Sequence, residues 1–218
     1  MIKLSGKSVK PGDVFYIPAL NQSQEQGFVM ARFIENVPVN MGYLLEVFSR
    51  FYTIPPACME DIDMSQRLFR PVMTSFSFSE VPRWRVLFSD PDYDRSQSRY
   101  DEITFSFVRY LWVGGKEVPK SQWDQDVSRI ERPICWRTLH LILRVNAHLA
   151  GIFKADEPRD YHRLPENMKE DNPEALATVI ALAEAMDDKF KLWAVQAKKN
   201  RVKGGGGGSS ICCGIASE

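Results

Sequence analysis

From Asn172 onward the apolar residues fall into one stripe. Leu176, Val179, Ile180, Ala183, Met186, Phe190, Trp193 and Ala197 recur at steps of three and four, which is the face of an α-helix. Asn172 stands where an N-cap belongs, and Pro173 and Glu174 suit the first turn. Lys198, Lys199 and Arg201 cluster at the far end, where cations complement the helix dipole. A helix with one long apolar face must lie on a larger apolar surface. The first two-thirds of the chain supply that surface, and they read as strands.

Lys10-Pro-Gly-Asp13 is a turn that feeds Val14-Phe-Tyr-Ile17. Phe28 to Ile34 is a second apolar run after the polar connection Gln22 to Gln26. Tyr43 to Phe48, continuing to Tyr52, is a third, and its aromatic content favours a strand. Pro55-Pro56 ends it, because proline cannot donate to a ladder. Met59 to Leu68 can hold a short helix capped by Asp61 or Asp63. Pro71 to Phe78 alternates at its end, with Phe76 and Phe78 on one face, and Trp84 to Phe88 is a further strand. Ser89 to Asp101 is too polar for core and reads as a surface loop. Thr104 to Val113 reads as a strand that turns at Gly114-Gly115 into Lys116-Glu-Val118, since both turn positions can take positive φ. Ile134 to Phe153 is a first helix, with Pro133 in its opening turn and Leu139, Ile142, Leu143, Val145 and Leu149 as its apolar face.

The expected fold is therefore α+β: a bent antiparallel sheet or partly open barrel over residues 8–120, followed by two helices within 133–203. Residues 1–203 form one domain in this reading, and 204–218 a flexible Gly/Ser-rich tail with five consecutive glycines. The expected core comprises Val14, Ile17, Val29, Phe33, Leu45, Val47, Phe76, Phe78, Trp84, Val86, Phe105, Phe107, Leu139, Leu143, Val179, Met186 and Phe190.

Charge and composition exclude several functions. Of the 218 residues 28 are basic and 28 acidic, so no cationic excess marks a general nucleic-acid binder. No apolar run approaches the roughly 20 residues of a membrane span, and the first residues lack a signal core. Cys58 and Cys135 are isolated, which suits a reduced, cytoplasmic protein. Cys212 and Cys213 follow a basic stretch, as in lipid-anchored tails. Ile215 stands fourth from the end, where a prenylation box needs cysteine, so prenylation fails; a disordered tail without membrane contact is expected, with palmitoylation of Cys212 and Cys213 as the alternative.

Catalytic and metal-binding patterns are weak throughout. Cys135 opens an apolar segment and reads as a buried thiol; a nucleophile assisted by His140 or His162 is the sharper alternative. His140 and His148 lie eight residues apart, where a helical ligand pair normally uses three or four. Asp90, Asp92 and Asp94 alternate as in a calcium loop, but Arg95 and Asp101 replace the glycine and closing glutamate. No metal and no cofactor is expected. Glu46 lies inside an aromatic strand run; alternation turns it away from Leu45 and Val47, toward solvent or into a groove. Arg83 and Arg85 flank Trp84 and read as a solvent-facing pair able to meet an acidic partner.

One combination goes further. Lys10-Pro-Gly-Asp-Val-Phe-Tyr-Ile-Pro18, then Gly27 to Phe33, later Leu68-Phe-Arg-Pro-Val72 and Pro82-Arg-Trp-Arg-Val-Leu87, resembles the immunity protein 26 family of bacterial polymorphic toxin systems over roughly residues 8–120. The departure is at Phe88-Ser-Asp90, where a glycine often follows in that family. The resemblance implies a cytoplasmic antitoxin that neutralises a cognate toxin by protein–protein binding, without catalytic residues. Its contacts would then come from Glu46, Asp61, Asp63, Arg83, Arg85, Asp90, Asp92 and Asp94, the acids, with Glu60, matching a basic toxin. The same Pro-Gly-Asp opening resembles MazF-type β-barrel ribonucleases, which keeps an enzyme alternative open. A generic intracellular protein-binding module is the third reading.

Overall fold

The computed structural model describes residues 9–37, 41–75, 86–124, 126–154, 163–169 and 171–203, with side chains of the last helix described to Trp193. Phe76, Phe78, Arg83, Trp84, Arg85, His162, Cys212, Cys213 and the whole 204–218 segment lie outside these residues, as do the side chains of Lys198, Lys199 and Arg201.

The strands are β1 (Asp13–Leu20), β2 (Gln26–Val37), β3 (Gly42–Tyr52), β4 (Val72–Thr74), β5 (Val86–Ser89), β6 (Thr104–Ser106), β7 (Tyr110–Val113), β8 (Lys116–Pro119) and β9 (Cys135–Trp136). Two helices follow, α1 (Thr138–Leu149) and α2 (Pro173–Lys203). The class is α+β, as the sequence predicts. The sheet differs from expectation: among the described residues there are two sheets, neither a closed barrel. The larger is ordered β5-β1-β2-β3-β4-β9, and the smaller is β6-β7-β8. β9 runs parallel to β4, so the larger sheet is mixed.

That sixth strand shortens the expected first helix. Trp136 pairs with Thr74, and its carbonyl accepts from Thr74 Oγ1 at 2.6 Å and from the Ser75 amide. With Trp136 held extended, the helix starts at Thr138 rather than Ile134. The expected Thr104–Val113 strand also breaks. It folds back at 107–109, with Phe107 and Tyr110 stacked 4.7 Å apart and Val108 92% exposed at the tip. No glycine or proline announces this turn. The next one, Gly114-Gly115, has positive φ at both positions (52° and 88°), as its hairpin requires.

The helices cover one side of the large sheet. Phe33, Leu45 and Val47 join Leu141, Val145, Val179, Met186 and Phe190 in the main core. Tyr16 stacks on Phe190 with ring centroids 3.7 Å apart. Asn172 caps α2 through its side-chain oxygen, which accepts from the Glu174 and Ala175 amides. Asn146 of α1 accepts the Leu20 amide at 2.9 Å, fixing that helix to the end of β1. Val14, Ile17, Val29, Phe105 and Leu143 are buried as expected, while Val86, Phe107 and Leu139 are half-buried at the margins.

The alternate residues of β2, β3 and β4 build a second, smaller core. Ile34, Leu44 and Met73 pack there with Ile103, Phe105 and Trp112. The 89–103 segment and the small sheet thus lie over the side of the large sheet that alternation assigns to water. Gly12 sets their position. Its φ is +88°, and a Cβ there would meet Tyr93 at 2.5 Å, so only glycine allows the approach. Asp13 beside it accepts the Lys10 amide at 2.8 Å and the Ser89 hydroxyl at 2.7 Å. The Pro-Gly-Asp turn is a joint between β1 and the segment that covers the sheet.

Candidate functional site

Arg32 and Glu46 are direct cross-strand partners on β2 and β3. Each is the lone charge in an apolar run. Glu46 is 1% exposed. Its Oε1 accepts from Arg32 Nε at 2.8 Å and from Ser98 Oγ at 2.6 Å, and its Oε2 accepts from Arg67 Nε at 2.7 Å. Arg67 also donates to the Ser98 carbonyl. The Arg32 guanidinium lies over the Tyr93 ring at 4.9 Å and the Phe48 ring at 5.6 Å. Tyr93 shares a 2.7 Å hydrogen bond with Ser98, and burial is the main cause that raises its phenol above the ordinary range. Two arginines thus share one carboxylate, and hydrogen bonds from the 93–98 segment complete the arrangement. Buried charge is tolerable only when paired and bonded in this way.

The expectation for the 89–101 loop therefore needs correction. Ser98 is 0% exposed and Tyr100 is 7% exposed. The segment is polar because the surface beneath it is polar. Glu46 does face away from Leu45 and Val47, yet that side is covered. It holds Arg67 in place and is not itself available to a partner.

A second ion pair lies nearby. Arg144 of α1 meets Glu131 through two hydrogen bonds, at 2.8 and 2.9 Å, with both side chains at most 1% exposed. The guanidinium is sandwiched between Phe69 and Trp136, 4.6 and 4.7 Å from the ring centroids. Glu131 bridges to Phe105, and its carbonyl accepts the Ser106 amide. The pair joins the helical layer to the small sheet.

Between these two ion networks runs an open groove of about 790 Å³. One wall is the 65–71 segment, the second is 99–104, and the third is 123–130. Arg67, Arg70, Arg99 and Arg129 line it, against Glu102 and Asp126. Arg99 reaches Glu102 at 3.6 Å, an exposed pair. Asp126 is engaged by its own turn, accepting from the Ser128 amide and hydroxyl, which hold its carboxyl below the usual range. Phe69 on the groove wall is the residue that stacks on Arg144. The buried Trp123 Nε1 donor has no hydrogen-bond partner among the described residues.

The sequence-predicted acids fall into two turns. Asp61 accepts the Ala57 amide at 3.2 Å, and Asp63 accepts from the Ser65 amide and hydroxyl. Neither caps the short 3-10 turn Met59–Asp61, whose N-cap is Cys58. Asp90 accepts the Asp92 amide, and Asp94 caps the Arg95–Ser98 turn by accepting from Ser96. Hydrogen bonds from Ser65 and Ser96 hold Asp63 and Asp94 below the usual carboxylate range. Asp61, Asp63, Asp92 and Asp94 are exposed, and Asp90 is half-buried. Cys135 is exposed rather than buried, and desolvation raises its thiol, the opposite of an activated nucleophile. Among the described residues no cluster of three or more His, Cys, Asp or Glu has metal-site geometry.

The strands built by the Pro-Gly-Asp joint, the Gly27 strand and the Leu68-Phe-Arg-Pro segment are those on which the resemblance rests. Residues 10–108 match the family model described as Immunity protein 26. No curated protein and no solved structure gives a match. The matched region contains Arg32, Glu46, Arg67 and Ser98, and therefore the whole first ion network. It also contains two walls of the groove. The third wall, Trp123 to Ile130, lies beyond it, as do Glu131, Arg144 and both helices. Among the described residues no helix is long and apolar enough to cross a membrane.

Sequence reasoning did not single out Arg32, Arg67, Arg70, Arg99, Arg129 or Trp123. A signal existed for the first. One cation and one anion stand alone in adjacent apolar strands, and opposite charges directly across a ladder attract. The groove arginines carried no comparable signal.

Proposed function

We propose that this chain is a bacterial immunity protein that neutralises a cognate toxin in the cytoplasm by binding it directly. The family match over residues 10–108 carries this reading. The buried ion networks support it in a specific way. Their carboxylates are each bonded to arginines inside the fold, so they fix loops, and a preorganised loop surface binds at lower entropic cost. Neutralisation by binding asks for no cofactor, no nucleic acid and no membrane. Exposed Asp61, Asp63, Asp92 and Asp94, with half-buried Asp90, remain available at the surface for a basic part of the toxin.

The test is co-expression of the full chain with the toxin encoded beside its own gene. The proposal expects restored growth and a stoichiometric complex that survives about 0.5 M salt, since a packed interface outlasts screening. Growth arrest in the presence of abundant folded chain, with no complex, overturns it.

A further inference from the structure

We infer that the arginine groove is the docking site for an acidic segment of the partner protein, which deepens the toxin-binding reading and rests on it. Three observations converge. First, Arg70 is half-buried with no ion pair or hydrogen bond among the described residues, and exposed Arg129, which attracts Asp126, lines the same 790 Å³ groove. A half-buried guanidinium such as that of Arg70 is matched by a carboxylate, whose two oxygens fit the guanidinium fork. Second, Arg67 is held at the groove wall by Glu46, with its side chain 16% exposed. Its position is set by the fold before any partner arrives. Third, Trp123 lines the same groove, and its indole N–H has no acceptor among the described residues.

The charge pattern favours an acidic peptide over nucleic acid. Glu102 and Asp126 interrupt the arginines and repel a continuous phosphate backbone. A peptide can place its acids opposite the arginines and an apolar side chain against Phe69. One wall of the groove lies outside the family-matched region. Trp123 and Arg129 therefore belong to the part of the groove outside the matched region.

The experiment uses the full chain and the purified toxin encoded beside its gene, with affinity measured by biolayer interferometry. The Arg70→Glu/Arg129→Glu double variant is expected to weaken binding about 100-fold or more, with an unchanged circular-dichroism spectrum and melting temperature. Lys189→Gln, on the exposed face of the second helix and away from the groove, is expected to change affinity less than about threefold. Equal affinity of the double arginine variant and the wild type overturns the groove assignment while leaving toxin binding intact. A wild-type chain that does not bind the toxin overturns the functional reading itself. A fluorescent 20-nucleotide single-stranded RNA is the second probe. RNA binding that the double variant abolishes, with toxin binding untouched, also overturns the assignment.

Discussion

The two sides of the large sheet solve the burial problem in opposite ways. On one side Phe33, Leu45 and Val47 meet two helices across a dry, aromatic core, with Tyr16 stacked on Phe190. On the other, Arg32 and Glu46 carry charge into the interior and are covered by a polar segment instead of a helix. The dry side depends on area and shape, so it tolerates apolar exchange. The charged side depends on specific hydrogen bonds, so it fixes one placement of the 93–104 segment. The charged side borders the groove, with Phe69 of the main core on its wall. The comparison teaches that the helices stabilise the fold, while the ion networks position the surface proposed for recognition.

The largest effects should come from removing a single member of either side. Phe190→Ala opens a cavity in the dry core and should cost about 3–5 kcal/mol. Glu46→Ala should cost as much, about 3–5 kcal/mol, because it leaves two guanidinium groups buried without their carboxylate. Urea denaturation of both variants checks this. A loss under about 1 kcal/mol for Glu46→Ala would mean that water reaches Arg32 and that the two sides do not differ as described.

Replacing the charged trio as a unit sharpens the contrast. Arg32→Met/Glu46→Leu/Arg67→Met removes both the charges and their desolvation penalty. Stability should stay within about 1 kcal/mol of wild type or rise, whereas toxin affinity should fall because the Arg67 wall is gone. Urea denaturation and biolayer interferometry on the same preparation separate the two. Full affinity in this variant would show that the network is not needed to form the binding surface.

A smaller effect is expected from acid. Asp63, Asp94 and Asp126 have carboxyls held below the usual carboxylate range by hydrogen bonds from Ser65, Ser96 and Ser128. A carboxyl depressed in the folded state stabilises above its unfolded pKa, and that contribution is lost as pH falls through the folded value. Between about pH 5 and pH 3 the wild-type melting temperature should therefore drop more steeply than that of Asp94→Ala/Asp126→Ala. Parallel calorimetric curves would show that these turns contribute nothing.

The legible part of this fold was local. The α2 stripe, the Asn172 cap, the three long strands and the Gly114-Gly115 hairpin each follow from spacing or backbone chemistry within a few residues. What escaped was set at long range. Ser98 is 52 residues from Glu46, so nothing in Asp94 to Tyr100 announces that it will be buried. β9 forms because Trp136 reaches β4, overriding a helical reading of Ile134 to Leu149. The Phe107 to Arg109 turn is closed by the Phe107 amide donating to the Tyr110 carbonyl and by ring stacking, not by glycine or proline. The groove draws one arginine each from positions 67, 70, 99 and 129, brought together only by two sheets and a helix. Glu46 was readable as a residue of interest, but its partners were not.

The central claim is that the toxin seats on the charged side, in the arginine groove. Hydrogen–deuterium exchange of the full chain, free and bound to the toxin encoded beside its gene, tests it most directly. The account predicts new protection concentrated at 65–71, 99–104 and 123–130, with the outward face of α2 unchanged. Protection confined to α2, or to the 59–63 and 90–94 turns, would contradict it.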